Sequence, residues 1–183
     1  IALKNANLEP EDVHIMVGGD LLNQTVSASF TAAEVPTPFM GVYGACSTST
    51  EALTIVASMV DAGFADVGLS VTSSHYQAAE RQFRYPIELN IQRKSTSQYT
   101  VTGSGALVVA KGSGPIVVTE ATIGRVIDMG IKDPNQMGPA MAPAAADTLY
   151  RHFVDTGRTP DYYDLIITGD LGEVGSSILR DLM

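Results

Sequence analysis

The chain has 183 residues, enough for one domain with a substantial core. Its 11 lysines and arginines against 20 aspartates and glutamates leave a formal charge of −9, which argues against a general nucleic-acid binder. A single cysteine excludes an internal disulfide and fits a reducing compartment, and no apolar run reaches the about 20 residues that span a membrane.

Ile1 is not an initiator methionine and no secretory leader comes after it, so the chain reads as beginning mid-protein or after processing. Ile1 to Asn7 reads as a helix end, Leu8 to Asp12 as a loop, and Val13 to Val17 as a strand closed by Gly18-Gly19-Asp20. His14 falls in that strand and reads as a satisfied core residue. Asn23 to Glu34 predicts a helix with Val26, Phe30 and Ala33 on one face, stopped by Pro36 and Pro38. Thr37 to Tyr43 predicts a short buried strand. Ser47 to Ala62 predicts a helix buried on nearly all sides, capped by the hydroxyl of Ser47 or Thr48 and ended at Gly63. Asp66 to Thr72 predicts another apolar strand. Strands alternating with helices predict parallel pairing through helical crossovers.

The stretch 73–102 has little period and carries Arg81, Arg84, Arg93 and Lys94, four of the eleven cationic residues. It reads either as a solvated surface loop or as a rim that offers arginine forks to an anionic ligand. Gly103 to Ala110 predicts a strand, with Ile116 to Ile123 as its antiparallel partner. Lys132 to Asn135 predicts a turn and Pro143 to Val154 a helix, on whose flank His152 reads as a surface residue.

The chemistry concentrates at Gly44-Ala-Cys46-Ser-Thr48. A cysteine between a strand and a helix sits where the helix N-terminus carries about half a positive charge, a field that favours thiolate. Gly44 permits the tight turn. The other reading is a small buried cysteine, the usual state of a free thiol. Asp20, Asn23 and Gln24 come after the carboxyl end of the first strand, and His75 after that of the third, where ligands of open α/β sheets collect. The first three also read as a helix cap. No metal-ligand spacing is present.

The end of the chain repeats its beginning in kind. A helix, a Pro-acidic loop, an apolar strand and Gly-Asp-Leu recur at Leu8 to Leu21 and at Arg158 to Leu171, a sign of internal duplication. Asp170 then stands where Asp20 stands, which favours a structural role for both.

Gly44-Ala-Cys46-Ser47 before an apolar helix resembles the nucleophile elbow of the thiolase and 3-ketoacyl synthase superfamily. Gly19-Asp-Leu-Leu-Asn-Gln24, Gly44 to Ser49, Thr72-Ser-Ser-His75, Ala79 to Pro86, Thr100 to Ala106 and Met141 to Asp147 together resemble the stage V sporulation protein AD family of spore-forming bacteria. The resemblance implies an α/β, thiolase-like fold of two similar halves, here 1–139, with its opening missing, and 140–183, the start of the second. It implies non-enzymatic binding of dipicolinic acid, with calcium possible alongside and no other cofactor, for uptake into the developing spore and release in germination. The implied site is Cys46, Ser47, Thr48, Asp20, Asn23, Gln24, His75, Arg81 and Arg84. Implied partners are proteins of the same uptake system at the spore inner membrane, where the chain would be peripheral, and a second copy joined through Asp66 to Thr72. The alternative is an acyl-transferring enzyme with Cys46 as nucleophile and its His and Asn partners, or a second His or Cys, in the second half.

Overall fold

Ile15-Met-Val-Gly-Gly-Asp20 forms β1, an apolar run whose side chains feed two opposite cores. The computed structural model describes residues 1–75, 96, 98, 101–112 and 114–183. They divide into two units, Ile1–Gln82 with Val101–Thr119, and Phe83–Thr100 with Glu120–Met183.

In the first unit a short helix α1 (Ala2–Asn5) and a 3-10 turn (Pro10–Asp12) lead into β1. Helix α2 (Val26–Glu34), strand β2 (Phe39–Gly41), helix α3 (Thr48–Asp61) and strands β3 (Val67–Ser73) and β4 (Ser104–Ala110) come next. The sheet order is β2-β1-β3-β4. β1 runs parallel to β2, with Val17 opposite Met40, and parallel to β3, with Asp20 opposite Ser73. β4 closes the sheet antiparallel to β3, with Ser73 opposite Ser104. Alternation along a strand sends successive side chains to opposite faces. Val17 packs with Ala52, Val56 and Val60 of α3 on one face. Met16 packs with Val13 and Leu69 on the other, beside Leu3 and Ala32 of α1 and α2. Gly68 lets α3 approach closely, since a Cβ there would lie 2.5 Å from Val56 Cγ1.

Several expectations are corrected. α3 is not buried all round: Thr48, Ala52, Val56 and Val60 form one buried stripe, while Ser58 and Asp61 are exposed. On α2 the buried residue is Ala28, and Phe30 is 72% exposed. The helix turns Ala28 inward because the Asp20 carboxylate grips its first turn. β2 is three residues long and largely exposed, being the sheet's edge. β3 lies between β1 and β4 in the sheet. Ile116 to Ile123 forms no strand, and the antiparallel partner of β4 is β3. His14 precedes β1 rather than lying in it, and its side chain is half exposed. Its Nδ1 accepts from the Asp66 backbone N–H at 2.9 Å, which ties β1 to the start of β3.

In the second unit helix α4 (Met137–Thr156) starts six residues earlier than expected and contains Pro143. Residues 139 and 140, the expected junction of two halves, lie inside it. Helix α5 (Gly172–Leu182) packs on α4 at glycines, where a Cβ on Gly175 would lie 2.5 Å from the Gly138 carbonyl carbon. Asp147 on α4 accepts from Arg125 Nη2 at 2.8 Å and from Arg151 Nε at 2.9 Å. The Arg125 hydrogen bond, with lesser help from Arg151, holds the Asp147 carboxyl below its ordinary value. His152 is not a bare surface residue. Its Nδ1 shares a hydrogen with Thr122 Oγ1 at 2.8 Å and its Nε2 with the Tyr163 hydroxyl at 2.5 Å. Arg158 donates to Glu120 through both Nη1 and Nη2 and lies 4.4 Å from the Tyr162 ring centroid.

The internal repeat is visible in the backbone. Asn7 (φ 56°) and Gly157 (φ 66°) are both left-handed, each three residues before the proline of a 3-10 turn, Pro10–Asp12 and Pro160–Tyr162. The copies then diverge. Leu165 to Thr168, which matches the apolar run of β1, is not a strand, and Leu165 is 72% exposed. A strand needs a neighbour for its N–H and C=O groups, and the described residues of the second unit contain no other strand to supply one.

Candidate functional site

Because β1, β2 and β3 are parallel, their carboxyl ends gather at one edge of the sheet. That edge brings together Asp20 at the end of β1, the turn 42–47 after β2, and Ser73 and His75 at and beyond the end of β3. Ligands of open α/β sheets bind at this edge.

The elbow is built by a network of buried polar groups. Gly44 lies before a single 3-10 turn, Ala45–Ser47, that runs straight into α3. Ala45 is held left-handed at φ 51°, a conformation that costs an L-residue about 1–2 kcal/mol. It is retained because both flanks are tied. Thr48 Oγ1 accepts from the Gly44 N–H at 3.1 Å and donates to the Ala45 carbonyl at 2.8 Å. Ser47 Oγ donates back to the Gly44 carbonyl at 2.8 Å. These hydroxyls shape the turn and do not cap α3, which has no side-chain cap among the described residues; this corrects the expected capping role. The first-turn N–H groups of α3 are thereby left without a described side-chain partner. Cys46 is exposed, not a small buried residue.

Asp20 is 2% exposed and does two jobs. Its Oδ2 accepts from the backbone N–H groups of Ser27, at 2.8 Å, and Ala28, at 3.4 Å, in the first turn of α2. Its Oδ1 accepts from the Ser73 hydroxyl at the end of β3. Thr25, the residue at the cap position, is left-handed at φ 48° and makes no side-chain cap bond, so Asp20 caps the helix from seven residues away. The expected cap by Asn23 is corrected accordingly: Asn23 and Gln24 lie exposed in the loop between β1 and α2. Asp170 differs from Asp20 in being exposed, with Oδ1 accepting from the Gly172 N–H at 2.9 Å.

Of the nine expected site residues, Asp20 and Thr48 are therefore buried, at 2% each, with their polar atoms engaged in the elbow. Cys46, Ser47, Asn23 and Gln24 are exposed and His75 is half-buried. Arg81 and Arg84 lie outside the described residues. Two residues escape a sequence reading. Ser73 carries no local signal, since its role is to meet Asp20 across the sheet. Glu51 stands in the first turn of α3 with a buried oxygen; the spacing Thr48-x-x-Glu51 is its only sequence signal, and that spacing suggests a capping box that does not form.

The family model for stage V sporulation protein AD matches residues 1–183. Stage V sporulation protein AD of Bacillus subtilis (strain 168) is 51% identical over all 183 residues. The chain belongs to the stage V sporulation protein AD family. It spans about half the length of that relative, 54%. Among solved structures the family's fold is similar to a tetronic acid condensing enzyme, AbyA1, at TM-score 0.70 and 16% identity over 99% of this chain and 64% of that one. It is also similar to cerulenin-bound OleA of Xanthomonas campestris, at TM-score 0.72 and 15% identity over 99% and 60%. A third is 3-oxoacyl-[acyl-carrier-protein] synthase III of Aquifex aeolicus VF5, at TM-score 0.61 and 18% identity over 99% and 62%. At these identities the likeness shows the fold alone: this member of the stage V sporulation family is thiolase-like.

Proposed function

We propose that this sporulation protein binds dipicolinic acid at the cysteine elbow, without chemical conversion, and serves its uptake into the developing spore and its release in germination. The observation that supports this best is the 51% identity to stage V sporulation protein AD along the whole chain. The ligand itself is what membership of that family implies. The elbow suits a small planar dianion physically. The first turn of α3, which has no side-chain cap, brings the positive end of the helix dipole, with the exposed Cys46 thiol and Ser47 hydroxyl beside it. His75 at the end of β3 adds a side wall. Arg81 and Arg84 supply cationic forks to the carboxylates. Calcium comes with the ligand as cargo. No described helix is long and apolar enough to cross a membrane, so in this reading the protein meets the spore inner membrane through other proteins of the uptake system, as a dimer.

Calorimetric titration of dipicolinate, with and without calcium, into the whole protein tests this. Saturable binding is expected, weakened about tenfold in Cys46→Ala, equivalent to about 1.4 kcal/mol. Absence of heat with either form of the ligand would reject the reading.

The left-handed Ala45 and the exposed Cys46 also favour a second reading, acyl transfer onto the thiolate. A burst of Cys46 acylation from a thioester would establish it and remove the binding-only reading.

A further inference from the structure

In the second unit His152 is hydrogen-bonded at both ring nitrogens, Nδ1 to Thr122 Oγ1 at 2.8 Å and Nε2 to the Tyr163 hydroxyl at 2.5 Å. Arg158 Nη1 donates to the same hydroxyl at 3.3 Å, and both Nη atoms donate to Glu120. Because the phenolic oxygen accepts from arginine, its own hydrogen goes to His152 Nε2. Nε2 then carries no proton, and Nδ1–H donates to Thr122. In this neutral tautomer, assigned from its partners, every bond from Thr122 to Glu120 has one donor and one acceptor.

The internal repeat shows what the network replaces. Counted from the matched left-handed residues Asn7 and Gly157, His152, Arg158 and Tyr163 correspond to Ala2, Leu8 and Val13. Val13 is buried in a core with Met16 and Leu69. An apolar contact of that kind is indifferent to pH, whereas a bond accepted by an imidazole nitrogen is not. A proton on Nε2 would aim two cationic donors, His152 and Arg158, at one oxygen and displace the Tyr163 hydrogen. Glu120 is already held by both arginine nitrogens, the Tyr162 ring lies against Arg158, and Arg151 donates to Asp147. No carboxylate among the described residues bonds to His152, those of Asp155, Asp161 and Asp164 on the same elements included. We infer that this network is a pH-sensitive latch. With His152 neutral it fastens the turn Pro160–Tyr162, and the apolar run from Leu165 that comes after it, to α4. With His152 charged it lets the turn go. The stability that the latch confers is therefore present on the alkaline side of histidine titration and lost as pH falls.

The test is amide hydrogen exchange of the whole protein at about pH 8 and about pH 5.5, either side of ordinary histidine titration, each rate divided by that of the unstructured peptide. Protection of residues 159–168 should fall about tenfold more than that of α3 between the two conditions. His152→Gln, whose amide does not titrate in this range, should remove the difference. So should Tyr163→Phe, which lacks the hydroxyl and should leave the turn poorly protected at both. If one variant fails to fold, the other decides. Equal protection of 159–168 in the wild type under both conditions overturns the latch. The same fall in a folded variant as in the wild type also overturns it, because the proton then acts elsewhere.

Discussion

Gly19→Ala should cost the whole protein about 3 kcal/mol of stability, at the upper end of what overpacking does. A Cβ at this position would lie 2.0 Å from the Val42 carbonyl oxygen and 2.9 Å from Thr48 Cγ2. The first is backbone and cannot swing aside. The chain after β2 would have to lift off β1, and the elbow would move with it. Gly41→Ala is the internal control, because there the new methyl meets only the Phe39 ring at 3.6 Å, an ordinary contact. Chemical denaturation of both variants checks the contrast. Loss of less than about 1 kcal/mol in Gly19→Ala would mean that β1 does not approach residue 42 this closely.

Asp20→Ala should cost a similar amount, about 3 kcal/mol, for a different reason. Losing a helix cap removes about 1 kcal/mol. Leaving the Ser73 hydroxyl and two backbone donors unpaired in a buried place adds about 1–3 kcal/mol. Asp20→Asn keeps one acceptor oxygen and loses the other, so it should recover part of the loss. Amide hydrogen exchange locates the damage. The Ser27 and Ala28 amides, which donate to Asp20, should gain more in exchange rate in the alanine variant than those in the middle of α3, which follow only the loss of global stability. Uniform acceleration across both helices would instead indicate global loosening and would refute a local cap.

Much of this architecture can be read from the residues. Short apolar runs separated by helical periods predict the parallel pairing seen among β1, β2 and β3, and a lone cysteine between glycine and an apolar helix marks the elbow. What depends on a distant neighbour cannot be read in the same way. Leu165-Ile-Ile167 is as apolar as Ile15-Met-Val17, yet only the latter is a strand, because pairing belongs to two segments and a pattern to one. Ser47 and Thr48 have the composition of helix caps, but their hydroxyls turn back to Gly44 and Ala45, since a left-handed Ala45 requires support. The true cap of α2 is Asp20, seven residues before the N–H it accepts, beyond the reach of any local capping rule. Phe30 has a helical spacing that suits a core face and lies exposed, because that cap decides which face of α2 turns inward.

The matched pair of left-handed residues, Asn7 and Gly157, has a consequence for the history of the chain. Asparagine tolerates that torsion and glycine adopts it freely, while most other residues resist it. The two segments differ in the residue at this position, in the acids around the proline and in the structure beyond the turn, yet they trace the same path. Duplication here has transmitted a torsion angle rather than a set of side chains. The two turns are thus interchangeable parts: a graft of residues 7–12 onto positions 157–162 would keep the route of the backbone while replacing nearly every contact along it.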